Sequence, residues 1–222
     1  MKTSASGTVA VAGIDIGGAR KGCHLVILRG REVCRVAKSS NPEDLYQDCL
    51  QHEVVAVGVD SPCRWSLDGA GRLAEKELAK EKIFCFSTPT QERALANTSG
   101  FYGWMFSGEK VFQTFAPTYP LLLEKRYVEG PVSFETFPHA ITCSLIGRDV
   151  ASAKLKRVQR RKVLEDAGIN ASSLTSIDAV DAALCALTAK LLLLGRTRAY
   201  GDSHGGYIFV PGADLQEVRS FL

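Results

Sequence analysis

Two short β-branched runs each close on an aspartate. Residues 8–16 (TVAVAGIDI) carry Asp15 near their end, and residues 53–59 (EVVAVGV) are followed directly by Asp60. Runs of this length and composition are buried strands. Between them, residues 22–28 (GCHLVIL) and 32–38 (EVCRVAK) read as two more strands, joined by a tight turn at Arg29-Gly30-Arg31. Asn41 as N-cap and Pro42 at the first helical position then start a helix that reaches about Gln51. The order is β-β-β-α-β. It predicts an antiparallel ribbon followed by a crossover that brings residues 53–59 back beside residues 8–16, parallel to them.

The remainder supplies more of the same layered pattern. Residues 61–71 are a loop, residues 72–82 a charged helix, and residues 83–86 (IFCF) a short strand. Residues 88–130 form an aromatic-rich insertion with one or two helices, either packed by its aromatics or lining a cleft. A strand at 132–137 (VSFETF) stops at Pro138, and helices follow at about 138–146, 151–167 and 177–194, with Gly168 and Gly195 placed as C-caps for the last two. A strand at 206–210 (GYIFV) precedes a polar tail. With 222 residues and 45% hydrophobic content, the chain suits one folded domain over 1–222 rather than disorder.

The seven cysteines, at 23, 34, 49, 63, 85, 143 and 185, contain no C-x-x-C pair. Residues 1–7 are polar, with no apolar leader segment, so reduced thiols and a cytoplasmic location are expected. The apolar stretch 182–194 carries Lys190 and is too short to span a bilayer, so no membrane partner is expected. A net charge of +3 neither demands nor excludes nucleic acid.

Acids within apolar elements carry the chemical signal. Asp15 and Asp60 sit at strand ends, Glu135 lies within the strand after the insertion, and Asp178 and Asp181 are three apart on one helix face. Isolated buried acids are costly. Several meeting at one sheet edge repel one another by about 4 kcal/mol per pair at ~4 Å and an effective dielectric of ~20. A divalent cation relieves that conflict, and oxygen ligands suit Mg²⁺ or Mn²⁺. Each residue also has an ordinary reading: a turn cap for Asp15, an Asx turn for Asp60, an ion pair for Glu135, and a helix-dipole acid for Asp178. Asp181, among Val180, Ala182 and Ala183, is hardest to explain that way.

The chain resembles the domain of unknown function 429 family, predicted ribonuclease H-like nucleases. The resemblance runs from about Val9 to Leu194 and rests on four stretches: Gly13-Ile14-Asp15 with Lys21-Gly22, Val59-Asp60-Ser61-Pro62, Phe134-Glu135-Thr136-Phe137-Pro138-His139, and Asp178 through Ala183. The chain departs from it at residues 63–71 and in the insertion. The resemblance implies an α/β fold with a ribonuclease H-like mixed sheet, an antiparallel ribbon plus parallel strands flanked by helices. It also implies an active site at Asp15, Asp60, Glu135 and Asp181, with Asp178 as a companion metal ligand. His139, in the same motif, is a candidate to orient a carboxylate or move a proton, or else a core or helix-capping histidine.

Residues 154–162 (KLKRVQRRK) hold six basic side chains in nine. Lys154, Arg157 and Arg161 share one helix face, and Lys156 and Arg160 another. Either face could meet phosphates or simply be solvated. Arg20, Lys21 and Arg93 are further candidate substrate contacts. No P-loop, Rossmann or G-x-S-x-G pattern occurs. His139 and Cys143, four residues apart, could form a nucleophile pair, although a buried helix cysteine is the plainer reading.

The resulting expectation is a metal-dependent nuclease that hydrolyses phosphodiester bonds of DNA or RNA with Mg²⁺ or Mn²⁺. Asp15 would bridge two ions, Asp60 and Glu135 would hold one, and Asp181 the other. The alternatives are a non-catalytic ribonuclease H-like binding module and, less favoured, an actin-like phosphotransferase. The last would need a second copy of the core.

Overall fold

A computed structural model of the chain describes residues 9–18 and 21–221. β1 (Ala10–Asp15) pairs antiparallel with β2 (Cys23–Arg29), and β2 with β3 (Glu32–Ser39). α1 (Pro42–Gln51) begins at Asn41, whose side chain accepts a hydrogen bond from the Glu43 N–H. The crossover delivers β4 (Val54–Asp60) parallel to β1, with Asp15 and Asp60 in register. α2 (Leu73–Lys80), α3 (Gln91–Leu95) and α4 (Gly103–Phe115) come next. β5 (Val132–Thr136) then adds parallel to β4. After α5 (Pro138–Ile146), α6 (Lys156–Asp166) and α7 (Ile177–Leu193), the chain forms a hairpin of β6 (Thr197–Asp202) and β7 (Gly206–Pro211), and ends in α8 (Leu215–Phe221).

The seven strands lie in the order β3-β2-β1-β4-β5-β7-β6. An antiparallel ribbon is therefore followed by parallel strands and a final antiparallel β6, a mixed sheet flanked by helices as expected from the sequence. Side chains alternate between its two faces. Val11, Ala56 and Phe134 pack with α5, α6 and α7 on one face. Ile14, Val57 and Val59 pack with Leu45 of α1 and with Phe112 and Phe115 of α4 on the other, and Ile208 and Val210 pack there with α2. Among the described residues, no helix is long and apolar enough to cross a membrane.

One close approach positions everything that follows. Gly13 in β1 and Gly58 in β4 both face α7. A Cβ on Gly13 would sit 2.0 Å from the Ala182 carbonyl oxygen and 2.3 Å from the Ala186 nitrogen, and one on Gly58 would sit 2.7 Å from the Cys185 oxygen. The bare backbone lets α7 lie directly on the two strands. Asp15 and Asp60, two residues further along the same face, therefore meet the first turns of α7, where Asp178 and Asp181 project.

Four local details differ from the sequence reading. Residues 83–86 form no strand. Ile83 is buried against α2 and β6, whereas Phe84 and Phe86 are exposed, so the run serves packing rather than pairing. Residues 197–202, which the sequence reading assigned to no element, form β6, the edge strand beside β7, whose Arg198 and Asp202 hid it. The polar tail holds α8, started by a reciprocal cap: the Glu217 N–H donates to Asp214 Oδ1 at 2.9 Å and the Asp214 N–H to Glu217 Oε2 at 3.2 Å. The helix expected over 151–167 opens with a 3-10 turn at Ala153–Leu155 before α6.

Candidate metal centre

A cleft of about 340 Å³ opens at the carboxyl ends of β1 and β4, and Asp15, Asp60, Asp178 and Asp181 all line it. Asp15 and Asp60 are side by side in register and hydrogen-bonded to each other. Across the hairpin, His24 is the register partner of Asp15 and stands on the same face. Single ligating atoms of Asp15, His24 and Asp178 lie within 4.8 Å of one another. Register identifies His24, which the sequence reading passed over. Counting pairs outward from the turn that joins β1 to β2 would have found it.

Burial first, then the charges of Asp181 and Asp178, lift Asp15 from 3.8 to about 7, against the Asp60 hydrogen bond and Arg160. Burial and the Asp15 carboxylate likewise push Asp60 well above the usual carboxylate range. Asp181 is only 5% exposed. It is raised by burial even though Arg160 holds its Oδ2 at 2.6 Å. Its other oxygen, Oδ1, is buried with no hydrogen-bond partner, and so is His24 Nδ1. His24 is lowered by burial, which keeps the ring neutral and its nitrogen lone pair available, while Asp178 pulls the other way. Several carboxylates held above their normal pKa, an orphaned carboxylate oxygen and an orphaned imidazole nitrogen match the donor set of a divalent cation. The imidazole tilts the preference from Mg²⁺ toward Mn²⁺.

Glu135 stands elsewhere. Its register neighbours are Val59 and Ile208, both of which pack on the side of the sheet away from α7, so alternation points it away from Asp15 and Asp60. There Arg72 grips it with two 2.6 Å bonds, and the Cys63 N–H donates to it at 2.8 Å. Arg72 also donates to Glu75 at 2.8 Å, and Glu75 in turn accepts from the Thr88 N–H at 3.0 Å and from the Thr88 hydroxyl. All three charged groups are buried. This network fastens the loop after Asp60 and the start of α2 to the sheet. The expected meeting of four strand and helix acids is thus corrected at one member: Glu135 is an ion-paired anchor on the opposite face, because a one-residue difference in parity reverses the side of a strand residue. An acid inside a strand signalled the need for a cation, but not that Arg72 would provide it.

The basic candidates separate in the same way. Lys21, Lys156 and Arg160 line the acidic cleft. Arg161 instead donates to the carbonyls of Ala171 at 2.8 Å and of Leu174. Lys154 and Arg157 are exposed and line no part of the cleft, and neither does Arg93, exposed on α3. Arg20 lies outside the described residues. The face of the basic helix turned to the acids is therefore that of Lys156 and Arg160, not that of Lys154, Arg157 and Arg161. His139 lies outside the cleft lining, half-buried, with its Nε2 3.7 Å from Cys143 Sγ. Burial, then Arg160, keep its ring from protonating, and burial pushes the Cys143 thiol up, which disfavours a thiolate nucleophile.

A family model described as "Protein of unknown function (DUF429)" matches residues 13–204. No curated protein matches the chain. Among solved structures, the nuclease domain of the large terminase subunit gp2 of bacterial virus Sf6 is 10% identical, with a TM-score of 0.29 over 96% of this chain and 87% of that one. A point mutant of gp2c of the large terminase subunit from bacteriophage Sf6, with calcium, is 12% identical, with a TM-score of 0.27 over 90% and 77%. TM-scores this low leave the functional argument to the chain's own residues.

Proposed function

The chain belongs to the DUF429 family of proteins of unknown function, and for it we propose metal-dependent hydrolysis of phosphodiester bonds in nucleic acid. The carrying observation is Asp181, buried on α7 with one oxygen paired to Arg160 and the other unpaired, at a cleft it shares with three more carboxylates. Folded proteins rarely leave such an oxygen without a partner. Asp15, Asp60, Asp178, Asp181 and His24 would hold Mg²⁺ or Mn²⁺. When bound, such ions lower the pKa of a water and offset charge on the leaving oxygen.

The chain's own groups supply the rest. Lys21, Lys156 and Arg160 bring positive charge to the edge of an acidic cleft, where a phosphate would otherwise be repelled. Arg160 also fixes the Asp181 carboxylate in orientation, leaving Oδ1 free. Asp15 and Asp60, sharing a proton in the free protein, release it as a cation binds, so binding should tighten with rising pH. Glu135 and Arg72 hold the loop that follows Asp60.

The test is cleavage of end-labelled DNA and RNA oligonucleotides in Mg²⁺ or Mn²⁺, with Asp181→Asn as control. Metal-dependent products from the parent and at least a ~100-fold loss in the variant are expected. Binding without cleavage by the parent would return the chain to the non-catalytic module.

A further inference from the structure

A second pocket adjoins the acidic cleft over the ends of β4 and β5 and shares Asp60 and Phe137 with it. Its walls are aromatic and apolar: Phe86, Trp104 and Phe137, with Pro62. Outside it the aromatic surface continues. The Phe86 ring lies 5.6 Å from Phe101, 6.1 Å from Tyr102 and 5.9 Å from Trp104. Phe86 is 39% exposed and Phe101 57%. Rings buried elsewhere in the same insertion, Phe112, Phe115 and Tyr119, explain its packing, so these exposed ones are not needed for the core.

The polar floor decides what such a pocket accepts. Arg72 faces it, but its guanidinium is spent on Glu75 and Glu135, and Asp60 adds a further acid. One cation already committed to two carboxylates leaves a phosphate no partner there. The free cations Lys21 and Lys156 lie on the other side of Asp60, in the acidic cleft. Ser61, which lines the pocket, is buried with its hydroxyl unpaired. A ligand whose phosphate rests by Lys21 and Lys156 would therefore extend a flat, uncharged group across Asp60 into the aromatic pocket.

We propose that Phe86, Phe101 and Trp104 form a stacking platform for an unpaired nucleobase, which makes single-stranded or flipped-out nucleic acid the substrate class of the adjoining cleft. This rests on the nuclease reading above and specifies its substrate. Within a duplex both faces of each internal base are covered by neighbours, so away from its ends the rings could engage only a base taken out of the stack.

The test is equilibrium binding in chelator, where no hydrolysis occurs. The probes are a fluorescent oligo(dT) and a blunt duplex of equal length, titrated with the parent and with Phe86→Ala/Phe101→Ala. Both side chains are exposed enough that the variant should keep its fold, checked by its melting temperature. Loss of stacking should weaken oligo(dT) binding roughly 5- to 150-fold with an unchanged salt slope, and leave duplex binding as it was. Equal losses for both probes, no loss for either, or no binding of oligo(dT) by the parent would overturn the platform. So would a parent dimer that the double variant dissolves, which would make the patch a subunit interface. The two readings fail separately. Metal-dependent cleavage that ignores the double variant removes the platform and keeps the nuclease. A double variant that loses oligo(dT), in a protein that never cleaves, keeps the platform and removes the nuclease.

Discussion

Replacing Asp15 by Asn should stabilise the metal-free protein, the reverse of what loss of a structural acid does. In the fold Asp15 titrates near 7 instead of 3.8. Its folded pKa is the raised one, so stability is lost as pH climbs from about 4 to about 7, and the full cost is present above that. A gap of roughly three pH units, at about 1.4 kcal/mol each, sets a ceiling near 4 kcal/mol at pH 8. The Asp15→Asn change removes this cost, but Asp60, lifted chiefly by burial, keeps its own cost and loses the carboxylate that accepted its hydrogen bond. About half of the ceiling should therefore be recovered. A gain of ~2 kcal/mol raises the melting temperature of a domain this size by roughly 4–8 °C. Metal acts oppositely on the two proteins. At ~100 times its dissociation constant a cation stabilises the parent by about 2.7 kcal/mol, or roughly 5–10 °C, and should do so less in the variant. Circular dichroism melts at pH 5 and pH 8, in EDTA and in millimolar Mg²⁺ or Mn²⁺, would read all of this. At pH 5, where only about a third of that cost has accrued, the gap between the two proteins in EDTA should narrow. A variant less stable than the parent in EDTA at pH 8, or a parent whose melt ignores metal, would refute the metal centre.

Glu135→Gln should behave quite differently: it leaves the buried Arg72 guanidinium with Glu75 as its one remaining carboxylate partner, costs on the order of 3 kcal/mol in melts, and leaves the metal-induced rise intact. Gly13→Ala drives a Cβ into the α7 backbone and should cost at least ~1–3 kcal/mol while weakening Mn²⁺ binding by calorimetry, because the helix that moves carries Asp178 and Asp181. Lys156→Glu should weaken nucleic-acid binding across all sequences and make the log–log salt slope shallower by roughly 0.7–0.9, whereas Arg157→Glu, outside the cleft, should change neither. Arg161→Glu should lower the melting temperature instead, by freeing the Ala171 and Leu174 carbonyls it holds.

Much of the frame was readable because it follows from local rules. The β-branched runs, the Asn41-Pro42 start and the turn at Gly30 dictate a ribbon and a crossover, and from these the neighbouring of Asp15 and Asp60 follows by topology alone. Asp178 and Asp181 were readable from helical spacing within an apolar helix. Glu135 was misplaced because its strand is buried on both faces, VSFET, so hydrophobic alternation gave no parity from which to tell its side. His24 needed the hairpin register, and Lys156 with Arg160 needed the rotation of a helix about its own axis. The composition of a helix basic nearly all round does not encode that rotation. Its few buried residues do: Val163 and Leu164 face the core, and Arg160 joins them only because Asp181 is there to receive it.

Acids on both faces of the sheet around Asp60 couple the two pockets. Asp60 ends β4, with the acidic cleft on the α7 side and the aromatic pocket on the α2 and α4 side. The residues that follow it cannot drift, because the Cys63 N–H is tied to Glu135 and Glu135 to Arg72. Gly108 of α4 adds a second restraint, since a Cβ there would lie 1.9 Å from Ser61 Oγ and the helix thus rests directly on the loop. Glu135, though removed from the cleft, therefore governs the distance between the groups that would hold a cation and the rings that would hold a base. A nucleotide that reaches both must span Asp60 in one conformation, and the rigidity of the Arg72–Glu135 pair is what would make that conformation selective. A buried ion pair of this kind adds little net stability over an apolar substitute. Its value to this fold is the fixed geometry of the loop that divides the two pockets.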